Sequence, residues 1–284
     1  MSPAAAPTPK VTQAFGASRL CALAVLLLLA APTGAGTPAY IALIIDDLGN
    51  HEASGERVIA LPGPVTCSIL PHTPYSRVLA ERCKRAGKEV MLHLPMQPDS
   101  NDRQPGPGRL EQGLGRVQVN ERVREGLATV PFAIGVNNHM GSHLTRHLVY
   151  MHWVMASLRD AGNFYFVDSF TSPSSVALRV ARANGLQSVG RDVFLDHTPT
   201  RAHVREQLGE LKAIARRNGL ALAIGHPHAA TLSELEQALP LLAAEGIILV
   251  TVSDLIRYAD PEEQLWQASS YPWPTASKKS RLLR

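Results

Sequence analysis

The sequence predicts one α/β domain built on a parallel β-sheet, and three observations predict it. Short apolar segments alternate with helical segments about seven times along the chain. The first apolar segment, residues 41–45, has no polar position, which is typical of a strand covered on both faces. Glycines such as Gly87, Gly162 and Gly219 stand where helices are expected to end. This alternation indicates right-handed crossovers between parallel strands, in a sheet that is open or closed into a barrel.

The predicted strands are short, apolar and rich in β-branched residues. They span residues 41–45, 65–70, 88–92, 132–136, 164–167, 187–189, 220–224 and 247–252. The predicted helices span residues 51–60, 74–86, 119–129, 145–161, 174–184, 200–218 and 231–245, with a last helix after Ser253. Thr73, Thr145 and Ser253 are expected to cap the helices that follow them. Residues 98–116 are rich in Asp, Asn, Gly and Pro, which predicts a long loop over the strand ends.

The composition of the 284 residues, 45% hydrophobic and 18% charged, is typical of a globular protein. The net charge of +4 arises at the two ends of the chain, in Lys10, Arg19 and the basic residues of segment 278–284. Because a nucleic-acid surface needs basic residues clustered on the folded domain, nucleic acid is not an expected partner. No Gly-rich loop follows the first strand, so nothing supports a dinucleotide or P-loop site. We expect one domain at residues 37–260 and a flexible surface tail at residues 261–284.

Residues 1–36 resemble a signal peptide, because basic residues precede an apolar core that small residues follow. The apolar core is too short for a comfortable membrane span, so no stable span is expected unless the leader is retained as an anchor. The sequence therefore predicts a periplasmic or secreted protein, with an inner-membrane anchor as the alternative. In an oxidising compartment Cys67 and Cys83 would form one disulfide or remain two buried thiols.

Acidic and imidazole side chains follow several of the predicted strands. The strand-end residues are Asp46, Asp47, His93, His139, His143, Asp168, His226 and His228. Because the carboxyl ends of parallel strands meet at one edge, we expect these side chains to converge. Carboxylate and imidazole ligands together suit a divalent ion, above all Zn²⁺. Asp192 and Asp196 are weaker candidates. His143 has H-x-x-x-H spacing from His139, but Gly141 between them favours a loop.

The motifs I-I-D-D-L-G-N, M-L-H-L-P-M-Q-P, G-V-N-N-H-M-G-S, V-D-S-F-T-S and I-G-H-P-H occur in this order. Together they resemble the divergent polysaccharide deacetylase family, over residues 39–258. The resemblance implies a distorted seven-stranded (β/α) barrel and a glycan substrate. It also implies that Asp46 is the catalytic base and that Asp47 and His93 bind the metal. His226 would be the general acid, with Asp168 orienting it.

One residue departs from the pattern of the wider superfamily. Ordinary members have a second metal-binding histidine four residues after the first, and here that position is Gln97. His139 is the candidate that replaces it. The resemblance then implies hydrolysis of an N-acetyl group on an amino sugar: Asp46 would accept the proton of the attacking water, and His226 would protonate the departing amine.

Two other functions stay open on the sequence. A glycoside hydrolase on the same barrel would pair Asp46 or Asp47 with Asp168. An exported barrel that binds metal or glycan without turnover is the third possibility, and Gln97 is the residue that supports it.

Overall fold

The computed structural model describes Met1, residues 38–99 and residues 104–259. The predicted leader and the predicted tail lie outside these described residues, except for Met1. The chain divides into two units, Met1–Gly36 and Thr37–Arg284, and the fold that follows belongs to the second.

Within the described residues nine β-strands alternate with eight α-helices. The strands are β1 (Ala39–Leu48), β2 (Thr66–Ile69), β3 (Glu89–Met96), β4 (Ala133–Met140), β5 (Tyr165–Asp168), β6 (Ser188–Gly190), β7 (Val193–Phe194), β8 (Leu220–Gly225) and β9 (Ile247–Val250). The helices are α1 (Glu52–Ala60), α2 (Ser76–Arg85), α3 (Arg116–Thr129), α4 (Leu148–Ala161), α5 (Ala177–Ala183), α6 (Arg201–Asn218), α7 (Ala229–Ala238) and α8 (Val252–Tyr258).

All paired strands are parallel and form one curled sheet in the order β6-β5-β4-β3-β2-β1-β8-β7. The central strand β1 is bonded to three neighbours. One of its edges pairs with β8 from Tyr40 to Ile45. The other is shared, because β9 occupies its first half up to Ala42 and β2 its second half from Ile44. β1 therefore has partners on both edges along most of its length, and residues 46–48 extend beyond the last residue that pairs with β8.

The two outer strands, β6 and β7, are joined by Arg191 and Asp192 alone. The backbone N–H of Arg191 donates to Asp168 of β5, and that of Asp192 donates to Leu222 of β8. Between β6 and β7 themselves the described residues form no ladder. The sheet thus curls into a barrel whose two outer strands, among those that the structure describes, are joined only by the chain at Arg191 and Asp192, and not by a hydrogen-bonded ladder. The gap between β6 and β7 is the line along which the described barrel lacks strand pairing.

The predicted fold class is confirmed, but the strand count is not seven. The apolar segments of the sequence predict eight of the nine described strands; the ninth, β7, has only two residues, too few to give an alternation signal. Three predicted caps are wrong. Thr145 lies in a short 3₁₀ helix, Leu144–Arg146, and α4 begins two residues after that helix ends. Tyr75, not Thr73, precedes α2, and Thr251 caps α8 in place of Ser253.

A buried carboxylate joins four elements at the amino-terminal end of the sheet. Glu89 of β3 accepts hydrogen bonds from Tyr165 Oη at 2.7 Å and from Thr66 Oγ1 at 3.2 Å. It also accepts from the backbone N–H of Val252 and from Ser253 Oγ, at the start of α8. The negative charge thus sits at a helix N-terminus, where the helix dipole favours it.

Cys67 and Cys83 are both buried and both are free thiols in the structure. Among the described helices none is both long and apolar enough to cross a lipid bilayer.

Candidate metal centre

The predicted site residues converge on a cavity of about 430 Å³ at the carboxyl ends of the strands. Of the six residues predicted to act, five line it: Asp46, Asp47, His93, His139 and His226. A second hollow of about 300 Å³ adjoins it, and Asp47, His139 and Met140 border both. The predicted convergence of these five strand-end side chains is confirmed.

An irregularity at the end of β1 turns two consecutive acids towards the same cavity. Side chains alternate between the two faces of a regular strand, so Asp46 and Asp47 should face opposite ways. The pairing of β1 with β2 shifts register between Ile45 and Leu48, and Asp47 has a positive φ of 59°. Such bulges re-aim side chains, and strained backbone of this kind clusters at functional sites.

Three ligand atoms from three strands lie almost in contact. Asp47 Oδ1 is 2.9 Å from His139 Nδ1 and 3.2 Å from His93 Nε2. His93 Nε2 is 3.0 Å from His139 Nδ1. With ligand bonds of 2.0–2.1 Å, a tetrahedral zinc site places its ligand atoms about 3.3 Å apart. The three atoms therefore approach the spacing that one such ion would impose.

The hydrogen bonding of this triad fits a cation. Asp47 Oδ1 is buried and accepts no hydrogen bond of good geometry, despite the two imidazole nitrogens beside it. Buried carboxylate oxygens without a hydrogen bond are rare in proteins. An ion bound between the three ligand atoms would explain this one. One carboxylate and two imidazoles also leave an open coordination position, as a catalytic zinc site requires.

The ionisation of the triad reflects its burial and its close charges. Burial raises the pKa of Asp47, but the imidazoles of His139 and His93 outweigh it and hold this pKa far below its ordinary value. Burial lowers the pKa of His93, yet the carboxylates of Asp46 and Asp47 raise it overall. The pKa of His139 is lowered, because burial and the nearby charge of His93 together outweigh the effect of Asp47 and Asp46. A metal binds the neutral form of an imidazole, so His93, whose raised pKa favours the protonated form, must release a proton when an ion binds.

The carboxylate of Asp46 lies beside the triad and is almost fully buried, with 2% exposure. Its Oδ1 accepts a hydrogen bond from Asn137 Nδ2 at 2.8 Å and is 3.5 Å from His93 Nδ1. Within the described part of the chain, no hydrogen bond reaches Oδ2. This oxygen is therefore the one that can accept a proton.

On the other side of the cavity His226 is held by Asp196. His226 Nδ1 is 2.9 Å from Asp196 Oδ1, while Asp196 Oδ2 accepts from the His226 backbone N–H and from Thr231 Oγ1, both at 2.7 Å. Since Nδ1 donates to the carboxylate, Nε2 faces the cavity, 3.8 Å from Asp47 Oδ2. Burial lowers the pKa of His226, but Asp196 and the two acids of β1 raise it to about 9.

The prediction that Asp168 orients His226 is wrong. Asp168 Oδ1 accepts the backbone N–H of Phe170, and Oδ2 accepts Ser175 Oγ and the backbone N–H of Leu178. These bonds hold the loop between β5 and α5. The acid that orients His226 is Asp196, which the sequence ranked low because the two-residue strand β7 before it gave no strand-end signal.

The other candidates lie outside the triad. Gln97 Oε1 accepts the backbone N–H of Gln112, so this side chain holds the loop after β3. His143 faces Gln112 and His147 with Nε2. His228 is exposed, although it lies close to Asp196 and His226.

Three cavity residues escaped the sequence analysis or were named there only in passing. Arg191 donates to the backbone carbonyls of Ser169 and Phe170 and lies 5.0 Å from the centre of the Phe194 ring. The ring of Phe170 packs against Gly190, where a Cβ would meet its Cε2 at 2.2 Å. Phe170 and Phe194 thus give the cavity two aromatic walls, which suit the apolar face of a sugar.

Residues 43–256 match the model of the family described as divergent polysaccharide deacetylase. The chain is 38% identical to the uncharacterized protein YibQ of Escherichia coli over 236 residues, which cover 83% of this chain and 72% of YibQ. It is 35% identical to an uncharacterized protein of Haemophilus influenzae over 239 residues, covering 83% and 84% of the two chains.

Solved structures share the fold. The uncharacterized protein ATU2773 of Agrobacterium tumefaciens superposes with a TM-score of 0.74 at 25% identity, covering 77% of this chain and 89% of that one. A deacetylase solved with its substrate superposes with a TM-score of 0.51 at 16% identity, covering 79% and 93%, which shows the fold alone.

Proposed function

Because the chain belongs to the divergent polysaccharide deacetylase family, we propose that it removes N-acetyl groups from an amino-sugar polymer of the cell envelope, using Zn²⁺. The observation that carries the proposal is the buried, unbonded Asp47 Oδ1 between two imidazole nitrogens. Two adjoining hollows border the triad, which supports a substrate that extends to both sides of the reacting amide.

In this proposal Asp47, His93 and His139 hold the ion. The ion would supply Lewis-acid chemistry by polarising the carbonyl of the acetamido group. Asp46 Oδ2 accepts the proton of the water that attacks the carbonyl carbon. As the C–N bond breaks, His226 Nε2 gives its proton to the amine nitrogen, so that acetate and a free amino sugar leave. Asp196 keeps the other ring proton on Nδ1 throughout.

Support for this reaction over a glycoside hydrolase comes from Asp168, the expected partner of Asp46 or Asp47 in a carboxylate pair, because it is bonded to the loop after β5 and does not line the cavity. The triad also supports turnover despite Gln97. The triad has three ligand groups without a residue at that position.

Acetate release from N-acetylated envelope glycans and chitin oligomers tests the proposal. We expect release by the zinc-loaded protein and a loss of about 100-fold or more in Asp46→Asn and in His226→Ala, as for lost acid–base groups. Asp192→Asn is the matched control, since its carboxylate accepts the backbone N–H of Leu222 and does not line the cavity. If the protein binds zinc but releases no acetate from any of these polymers, it is a binding protein and not the deacetylase.

We propose also that the protein is exported to the periplasm or beyond it. The support is the composition of residues 1–36, in which basic, apolar and small residues follow one another. N-terminal sequencing of the protein recovered from cell fractions tests this. A chain that starts at residue 1 in the membrane fraction would indicate a retained anchor.

A further inference from the structure

Between the metal triad and Asp46, the proposed catalytic base, lies one buried side chain to which no role has been given, Asn137 of β4. It is fully buried, and its two amide atoms have different partners. Asn137 Nδ2 donates to Asp46 Oδ1 at 2.8 Å. Asn137 Oδ1 is 2.7 Å from His93 Nδ1 and accepts from Ser68 Oγ at 2.9 Å.

The orientation of this amide follows from the charge of Asp46. An ionised carboxylate only accepts hydrogen bonds, so the NH₂ group of Asn137 must face Asp46 and its carbonyl must face His93. A carbonyl also only accepts, and the proton between Asn137 and His93 must therefore sit on His93 Nδ1. In neutral His93 this leaves the lone pair on Nε2, the atom that lies 3.2 Å from Asp47 Oδ1 and 3.0 Å from His139 Nδ1.

We propose that Asn137 is a positioning residue that couples the catalytic base, Asp46, to the metal centre. Its amide fixes the Nδ1–H tautomer of His93, which directs the Nε2 lone pair to the ion. It also occupies Oδ1 of Asp46, which leaves Oδ2 as the oxygen that takes the proton. The inference rests on the metal site and the role of Asp46 proposed above.

Two substitutions separate the two halves of this role. Asn137→Ala removes both contacts. Asn137→Asp keeps an oxygen that accepts from His93 but replaces the NH₂ group facing Asp46 by a second acceptor. Ser68→Ala is the matched control, since it removes the third partner of the amide and leaves the contacts to His93 and Asp46 in place.

The first measurement needs no turnover. In the metal-free protein, at a pH high enough for His93 to be neutral, the nitrogen chemical shifts of the His93 ring are expected to report the Nδ1–H tautomer in wild type, Ser68→Ala and Asn137→Asp. We expect a mixture of tautomers in Asn137→Ala. The dissociation constants for Zn²⁺ and Co²⁺, from competition with a chelator, should rise tenfold to hundredfold in Asn137→Ala, the usual effect of losing the partner that orients a metal-binding histidine. In Ser68→Ala and in Asn137→Asp they should change by less than about threefold.

The second measurement uses acetate release. For Asn137→Asp we expect kcat to fall at least tenfold at saturating zinc, with little change in KM, because two carboxylates 2.8 Å apart share a proton and Asp46 is then no longer a free base. Wild-type zinc affinity and an unchanged His93 tautomer in folded Asn137→Ala would overturn the proposal. So would equal losses in Asn137→Ala and Ser68→Ala. Since the tautomer and the zinc affinity are measured without substrate, a failure of the deacetylase proposal would not be mistaken for a failure of this one.

Discussion

At the scale of single residues, the pair His226–Asp196 has the most distinctive electrostatics. The imidazole is surrounded by three carboxylates, of Asp196, Asp46 and Asp47, and these overcome the effect of burial and raise its pKa to about 9. His226 is thus protonated at neutral pH in the metal-free protein, which is the state that a proton donor needs before the reaction.

The pair predicts how stability depends on pH. A histidine whose pKa rises on folding stabilises the protein fully below its unfolded pKa of about 6.5, and this stabilisation is lost as the pH rises through the folded value. For metal-free protein we expect the His226 contribution, up to about 3 kcal/mol, to disappear between pH 6.5 and 9. Thermal unfolding of wild type and Asp196→Asn at pH 6 and pH 9.5 measures it. The variant should show a clearly smaller pH-dependent loss, and equal losses in both proteins would contradict the assignment.

Single residues also show which parts of the site could be predicted from the sequence and which could not. Asp47, His93, His139 and His226 could be found because each follows an apolar strand. Asp196 and Asn137 could not be assigned their contacts in this way. The first depends on a strand of two residues, and the second on an amide orientation that only the three-dimensional neighbours Asp46 and His93 determine.

At the scale of elements, the residue at the position of the expected second histidine, Gln97, holds the loop between β3 and α3 and does not face the candidate metal site. Gln97 holds this loop through both its side chain and its backbone, which bond to Gln112 and Leu110. Tyr150 Oη of α4 accepts the backbone N–H of Gly113 at 2.7 Å and anchors the same loop from outside. Residues 104–107 of the loop border the second hollow.

Gln97→His restores the superfamily spacing, yet we expect no gain in zinc affinity beyond about threefold, because the side chain points to the loop and the triad is already complete. The lost hydrogen bond, worth about 1 kcal/mol, should instead make the loop open about fivefold more often. The rate of tryptic cleavage at Arg109 measures this. Tyr150→Phe should accelerate cleavage in the same way, and the exposed substitution Gln237→Ala should not. A marked gain in zinc affinity would show that residue 97 reaches the ion.

The alternation of strands and helices was predictable, because short apolar segments alternate with longer amphipathic ones, and because four of the eight described helices, α2, α4, α5 and α6, are followed by a glycine within two residues. The exact starts of α2, α4 and α8 were not. Thr73 and Ser253 use their hydroxyl groups in other contacts, with Ser76 and with Glu89. A sequence shows that a side chain can cap a helix, but not which of its partners it takes.

At the scale of the whole molecule, the residues of the candidate site and a buried network that stabilises the fold lie at opposite ends of the barrel. The site lies at the carboxyl ends of the strands, whereas Glu89 connects β2, β3, β5 and α8 at their amino-terminal ends. Burial raises the pKa of Tyr165 well above its ordinary value, with the Glu89 charge adding to this, so Tyr165 remains a neutral donor to Glu89.

We therefore expect Glu89→Ala to lower the free energy of unfolding by about 3 kcal/mol or more, because several buried donors lose their acceptor. In the fraction that folds, zinc affinity should stay within about twofold of wild type. Glu245→Ala is the control, since this half-exposed acid pairs with Lys212 and Arg216 at the surface and should cost less than about 1 kcal/mol. Chemical denaturation and chelator competition measure the two quantities. If folded Glu89→Ala lost zinc affinity as well as stability, the candidate site would depend on Glu89 and the prediction would be wrong.

The junction at Arg191 and Asp192 has a mechanical consequence. Each residue is bonded to the strand on its own side, and no ladder spans the line between β6 and β7 in the described part of the barrel. Widening of the barrel along this line would break no strand pair among the described residues, although it would separate Arg191 from Phe170 or from Phe194. The strands that carry Asp47, His93 and His139 are joined by continuous ladders from β1 to β4, so these three side chains would keep their spacing while the barrel widened on its far side.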